Sequence, residues 1–369
     1  MRRILGLAAL LLALGGCGSA TSIDTRALVV GIAVDKGQKP GLLRYTFQVP
    51  SPQSLGGGGG GGGSGGNKFY YPSADAHSLA EAISSVEDRT SRDIYLGQLH
   101  IILVALDVPP TLRDAFGREE QRIGELDHTE WVALSQPPAA KMLEPPSSQE
   151  ELPSMFYSTH FNCRTCQSTA LGVPAWKAAK EELEPGTTVT LPVVRTQDGQ
   201  YDIGTVASFN TGQPAVEFTR PESESIMLAL GQMYKGVVRS ETPLGPAVVR
   251  SLRSNATKRG EVGADGVAHL YLEVRLSGVL AQIPPKADRV TADVSRMIAQ
   301  ATAASLRTQF AATVRKAQSA GVDPFRFGEA LYQHDAARTA RLAQWPAEFR
   351  RATVQMRTEV TVPREGVTV

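Results

Sequence analysis

Cysteine is scarce, with three residues in a chain of 369. That number excludes a small disulfide scaffold, in which paired cysteines replace a core. Neither sign of charge is in surplus: 38 Lys and Arg stand against 37 Asp and Glu. A nucleic-acid binder would show a basic excess and a metal store an acidic one, and the sequence has neither. No apolar run approaches the roughly 20 residues that a membrane-spanning helix needs. No HExxH, GxSxG or catalytic carboxylate motif occurs, so nothing marks an enzyme, a metal centre or a cofactor site. There is no internal repeat. What remains is a chain with 42% apolar residues, an ordinary globular value, and enough length for two or three domains.

The first residues form a leader. Arg2 and Arg3 supply a positive start, and Ile4 to Leu14 is an apolar run of 11 residues. The run is too short to span a bilayer but suits a signal peptide over 1–16. It ends in Leu14-Gly15-Gly16-Cys17, the pattern of a lipobox, in which small residues let a peptidase reach an extended backbone before the cysteine is acylated. The plainer alternative is a secretory leader with a chance cysteine. Each buried methylene of an acyl chain contributes about 0.8 kcal/mol, so two chains hold where one does not. The expectation is a mature chain tied to the lipid bilayer through acylated Cys17, palmitate-like chains included, outside the cytoplasm. Gly18 is not Asp, so nothing favours retention at an inner membrane of a two-membrane cell.

Residues 27–34 and 42–49 read as a β-hairpin around the turn residues Asp35 to Gly41. A helix capped by Ser73 is expected to run to about Asp88, with Leu79, Ile83 and Val86 on one face. A buried strand is expected over 94–106, a helix over 112–126, a short strand over 131–134 and a helical turn over 139–143. Residues 147–161 read as polar and irregular, and 169–184 as a helix broken near Pro174. The strand over 189–194 contains Pro192, which suggests a sheet edge. Residues 196–200 read as a linker or wide turn, dividing a domain over 17–195 from one over 200–369. The second half predicts strands at 203–209, 215–219, 248–255 and 268–283, with a helix at 222–234. A long helix is expected over 287–319, carrying Val290, Val294, Ile298, Leu306, Phe310 and Val314 at multiples of four. Such a stripe drifts by about 40° per step, so different neighbours must cover its two ends. A short helix over 324–332 and a closing strand over 354–362 follow.

Three features invite a chemical reading. The glycine run 56–66 matches a dinucleotide-binding pattern trivially and lacks the Gly-Lys-Ser/Thr of a P-loop, so it reads as a flexible insertion. Cys163 and Cys166 lie in HFNCRTC. A local disulfide is the simplest reading outside the cytoplasm; free thiols, a three-ligand metal site with His160, or a thioredoxin-type redox pair, which would want to open a helix after a strand, are the alternatives. His77, His100 and His128 are scattered and read as surface or satisfied residues.

Several stretches in order resemble one family. IDTRALVVGIAVDKG follows the lipobox, then YYPSADAHSLAEAISSV, IYLGQLHIILVAL, DPFRFGEALYQ from Asp323, and WPAEFRRATVQMRTEV, with Gly366 near the end. Together they are similar to the Ger(x)C spore-germination lipoproteins, the C subunits of nutrient germinant receptors. The resemblance departs at Gly18-Ser19, where the family usually has Trp-Asp, and at the glycine run and the CxxC. It implies an α+β fold of three subdomains of mixed β-sheet with packed helices and one long C-terminal helix. It implies Phe325, Phe327, Gly328, Glu329, Trp345 and Phe349 as structural motif residues. It implies attachment to the outer face of the spore inner membrane and association with membrane A and B subunits, without catalysis. The alternative from another class is a solute-binding lipoprotein of a transporter, which would want two similar lobes and a hinge. Trp345 and Phe349, four apart, are expected to share a face and enter the C-terminal core.

Overall fold

The computed structural model describes residues 25–51, 68–144, 152–163, 172–233, 235–334 and 344–363. Cys17, the glycine run, Pro145-Pro146, Cys166 and Gly366 lie outside these residues. In chain order the first half holds Arg26–Leu28 (β1), Gly31–Lys36 (β2), Leu43–Pro50 (β3), Phe69–Tyr70 (β4), Ser73–Ala76 (β5), Leu79–Glu87 (α1), Asp93–Tyr95 (β6), Ile101–Ala105 (β7), Pro110–Glu120 (α2), Trp131–Ser135 (β8), a 3-10 turn at Ala139–Leu143, Pro153–Asn162 (α3), Ala175–Leu183 (α4) and Val189–Gln197 (β9). The second half holds Gln200–Phe209 (β10), Val216–Glu217 (β11), Arg220–Ala229 (α5), Val237–Thr242 (β12), Gly245–Val262 (β13), Ala268–Gln282 (β14), Ala292–Ala320 (α6), Phe327–His334 (α7), Trp345–Arg351 (α8) and Thr353–Thr361 (β15). The α+β class, the mixed sheets and the long C-terminal helix are all present.

A nine-stranded sheet runs β11-β10-β9-β8-β7-β2-β3-β4, with β5 also on β3. Its middle strands β2, β7, β8 and β9 are parallel. Parallel strands need both faces covered, and every residue of β7 is buried. α2 and α4 cover one face, and the 3-10 turn and α3 lie on the other. A separate pair, β1 and β6, runs parallel. The four-stranded sheet β12-β13-β14-β15 carries α6 along one face.

Helix ends follow capping chemistry. Ser78 caps α1 by accepting from Glu81 N–H, and Glu81 accepts from His77 N–H. Ser73, expected as that cap, instead opens β5, which pairs with β3 in the hairpin's sheet. Thr219 and Glu222 form a capping box on α5. Thr291 starts α6, and Gly321 ends it in the left-handed region with φ 73°. As the drifting stripe requires, α6 meets β12 and β15 along its length, α5 at its side and α8 near its end.

Besides Ser73, four expectations are corrected. The strand over 94–106 is two strands, because the chain turns at 96–99 between β6 and β7. Residues 153–162, read as irregular, form α3. Pro192 is not at an edge: β9 lies between β8 and β10. It is tolerated because its partner Val206 turns both backbone groups the other way, donating to Ser223 Oγ and accepting from Phe218 N–H, and because the β8 pairing starts only at Leu134 and Val193. Residues 196–200 are a tight hairpin rather than a linker or wide turn. Asp198 and Gly199 both have positive φ, 51° and 71°, the signature of a two-residue turn matched to strand twist. The chain therefore crosses 196–200 without leaving the sheet.

Candidate functional site: the buried junction between the sheets

The residues singled out by the resemblance converge where α6 gives way to α7. Gly321 turns the chain, and Asp323 drops into the interior with 1% of its surface exposed. Its carboxylate accepts from Gly328 N–H at 2.9 Å, Trp345 Nε1–H at 3.0 Å and Phe325 N–H at 3.2 Å. Its own N–H donates to Thr188 Oγ1 at 3.0 Å, just ahead of β9. The Thr188 hydroxyl donates to Asn210 Oδ1 at 3.0 Å, and Asn210 Nδ2 donates to Gly321 O at 2.9 Å. These bonds close a ring from the end of α6 through the nine-stranded sheet and back to Asp323.

Charged groups reinforce the ring. Arg326 pairs with the buried Glu181 of α4, which also accepts from Thr190 N–H. Lys258 of β13 donates to Phe325 O at 2.7 Å. Burial pushes the Asp323 carboxyl above the usual carboxylate range, against its hydrogen bonds and Lys258. Burial likewise raises Glu181 against the pull of Arg326. Lys258 is pushed down to about 8 by burial, with Asp323 opposing. In each case desolvation outweighs the partner's attraction.

Below the polar ring lies an aromatic chain. Phe310, Phe325, Phe327, Phe349 and Trp345 stand with ring centroids 5.2, 5.9, 6.5 and 5.7 Å apart in sequence. All five are buried. Gly328 is needed for close approach: a Cβ there would strike Gly186 O and stand 2.7 Å from the Trp345 indole nitrogen. The assembly links the two sheets, and Asp323, Thr188 and the five rings at its centre are buried.

Trp345 and Phe349 share the buried face expected of them. Glu329 does not join the core; it sits at the rim, 3.9 Å from Lys180 Nζ. The sequence reading missed Lys258, Thr188, Asn210, Glu181 and Arg326. Cys163 is disulfide-bonded. It follows the end of α3, where the helix dipole disfavours a thiolate, unlike a redox CxxC. His160 packs between Phe156 and Phe161 with its pKa lowered by burial. His77 faces Gly41 O, His100 is half-buried ahead of β7, and His128 stands beside Glu120.

Two family models match this chain in order: the spore germination protein N-terminal domain over residues 19–196, and the spore germination B3/GerAC-like C-terminal domain over residues 205–366. Among solved structures, the crystal structure of the GerBC protein shares the fold with a TM-score of 0.58 at 12% identity, covering 90% of this chain and 96% of that one. No curated protein matches.

Proposed function

The chain belongs to the Ger(x)C family of spore germination proteins, and on that premise we propose that it is the lipid-anchored C subunit of a nutrient germinant receptor. It acts by association with membrane A and B subunits and has no turnover of its own. The observation that carries this reading is the ordered match of both family domains, over residues 19–196 and 205–366.

The anchor is acylated Cys17, and the body sits on the extracytoplasmic face of the spore inner membrane. Among the described residues no helix is long and apolar enough to cross a membrane. Nine peptide steps from Cys17 to Arg26 reach at most about 30 Å, so the β1–β6 corner lies close to the headgroups. Confinement to the membrane raises the effective concentration of the chain near its partners, so modest contacts suffice. The domains over 17–195 and 200–369 work as one body, because the Asp323 ring and the β9–β10 hairpin join them. That bracing also disfavours a solute-binding lipoprotein, whose lobes must hinge. Cys163 pairs with Cys166 as a local staple.

The test is co-purification from spore inner membranes solubilised in mild detergent, using a tagged chain. A- and B-type subunits should be recovered with it. Recovery of the chain alone from membranes in which both subunits are present would contradict the reading.

A further inference from the structure

Outside the junction, the structure brings together three side chains that the sequence leaves apart. Glu120 is the last residue of α2. His128 and Glu130 lie in the segment leading into β8. That segment is fixed by the start of α4: Trp176 N–H donates to His128 O at 3.0 Å and Ala175 N–H to Glu130 O at 2.9 Å. His128 Nδ1 stands 3.0 Å from Glu120 Oε1. One nitrogen or oxygen from each of the three residues lies within 4.8 Å of the other two.

Two facts set this apart from an ordinary ion pair. Glu130 is 4% exposed, and its Oε1 has no hydrogen-bond partner among the described residues. Its carboxyl faces that of Glu120, which is also buried. Glu120 in turn sits at a helix C-terminus, where the dipole disfavours a negative charge. Two buried carboxyl groups face one imidazole, and a buried carboxyl oxygen with no partner is a costly arrangement that a bound cation relieves.

We propose that Glu120, His128 and Glu130 form a binding site for a divalent first-row transition-metal cation, Zn2+ or Mn2+. An imidazole nitrogen with two carboxylate oxygens is a donor set for these ions, and the imidazole disfavours Ca2+ and Mg2+, which take oxygen ligands. Ligands bound about 2.0–2.2 Å from one ion stand roughly 3–3.5 Å apart, close to the His128–Glu120 separation, and a small side-chain rotation brings Glu130 into range. His128 is the most exposed of the three, with 31% of its side chain accessible, so the ion enters from that side and keeps solvent ligands there. The site ties α2, the start of β8 and, through the backbone bonds, α4 into one metal-dependent unit.

The experiment is equilibrium dialysis of the full chain in detergent micelles against Zn2+, Mn2+ or Mg2+, with bound metal measured by mass spectrometry and thermal unfolding followed in parallel. Two variants serve as controls. Glu130→Gln keeps the shape, and His128→Asn keeps a residue that tolerates the positive φ of 55° at that position. The expected result is one equivalent of Zn2+ or Mn2+ in the wild-type chain, a raised Tm on loading, and at least tenfold weaker binding in both variants. No binding above the Mg2+ control overturns the proposal. So does binding that both folded variants retain unchanged. A Tm that rises in Glu130→Gln while the wild type binds no metal also overturns it, and assigns the pair of carboxyls a shared proton instead.

Discussion

Trp345 donates its indole N–H to Asp323 Oδ2 at 3.0 Å, and both residues are buried. This bond links the last helix to the loop that grips the nine-stranded sheet. Trp345→Phe removes the donor but keeps most of the ring, and should cost about 1–3 kcal/mol. Asp323→Ala orphans three buried donors and should cost at least about 3 kcal/mol. Urea unfolding measures both; values near zero would mean that the ring does not brace the halves.

Gly328 supplies a prediction about space. Gly328→Ala places a methyl against Gly186 O and the indole, and the neighbouring backbone must shift. A loss above about 2 kcal/mol is expected. Gly124→Ala, where a Cβ meets nothing within 4 Å, is the control and should be near neutral.

Lys258 supplies a pH dependence. Its folded value is near 8 against an ordinary 10.5. Between those values the unfolded chain binds more protons, so folding stability rises with pH across that window, by roughly 3 kcal/mol if the whole depression is realised. Below about pH 8 both states are protonated and this contribution is flat. Urea unfolding of wild type and Lys258→Met at about pH 7, 8.5 and 10 checks it. The wild-type advantage should grow with pH, and parallel curves would refute the assignment.

The glycine run 56–66 is expected to be dispensable for folding. It lies outside the described residues, but the chain on either side is pinned, with Ser51 N–H donating to Lys68 O at 2.9 Å. Loop closure changes by only about 0.6 kcal/mol per doubling of length. Replacing the run by a few residues should leave Tm within a few degrees, as read by calorimetry.

Much of the fold is legible in local pattern. The β2–β3 hairpin, α6 and β15 each show it in alternation or in four-residue spacing, and the burial of Trp345 and Phe349 follows from theirs. Helix α3 is not legible, because Ser, Thr, His, Phe and Tyr are indifferent helix formers. Tertiary contacts hold it instead, Tyr157 donating to Met142 O at 2.6 Å and Phe156 packing on Tyr201 at 5.0 Å. The junction was half legible. Its aromatic members cluster within 323–349, but Thr188 meets Asp323 across 135 residues, and Lys258 lies on an unremarkable alternating strand. The same distance effect hides Glu120, His128 and Glu130, whose separate elements give no metal-ligand spacing.

The lipid anchor is tested by Cys17→Ala. The variant should leave the membrane fraction, and mass spectrometry of the wild-type N-terminus should find an acylated Cys17. An unmodified N-terminus at another residue would refute the anchor.

The central claim, a subunit that transmits a nutrient signal by association, is tested most directly by the germination response of spores lacking this chain. Loss of response to nutrients that act through its own receptor is expected, with a full response to stimuli that bypass receptors and rescue by the wild-type chain. Equal loss of both responses would contradict the claim and place the protein downstream. An unchanged nutrient response, in spores with no second receptor for that nutrient, would contradict it outright.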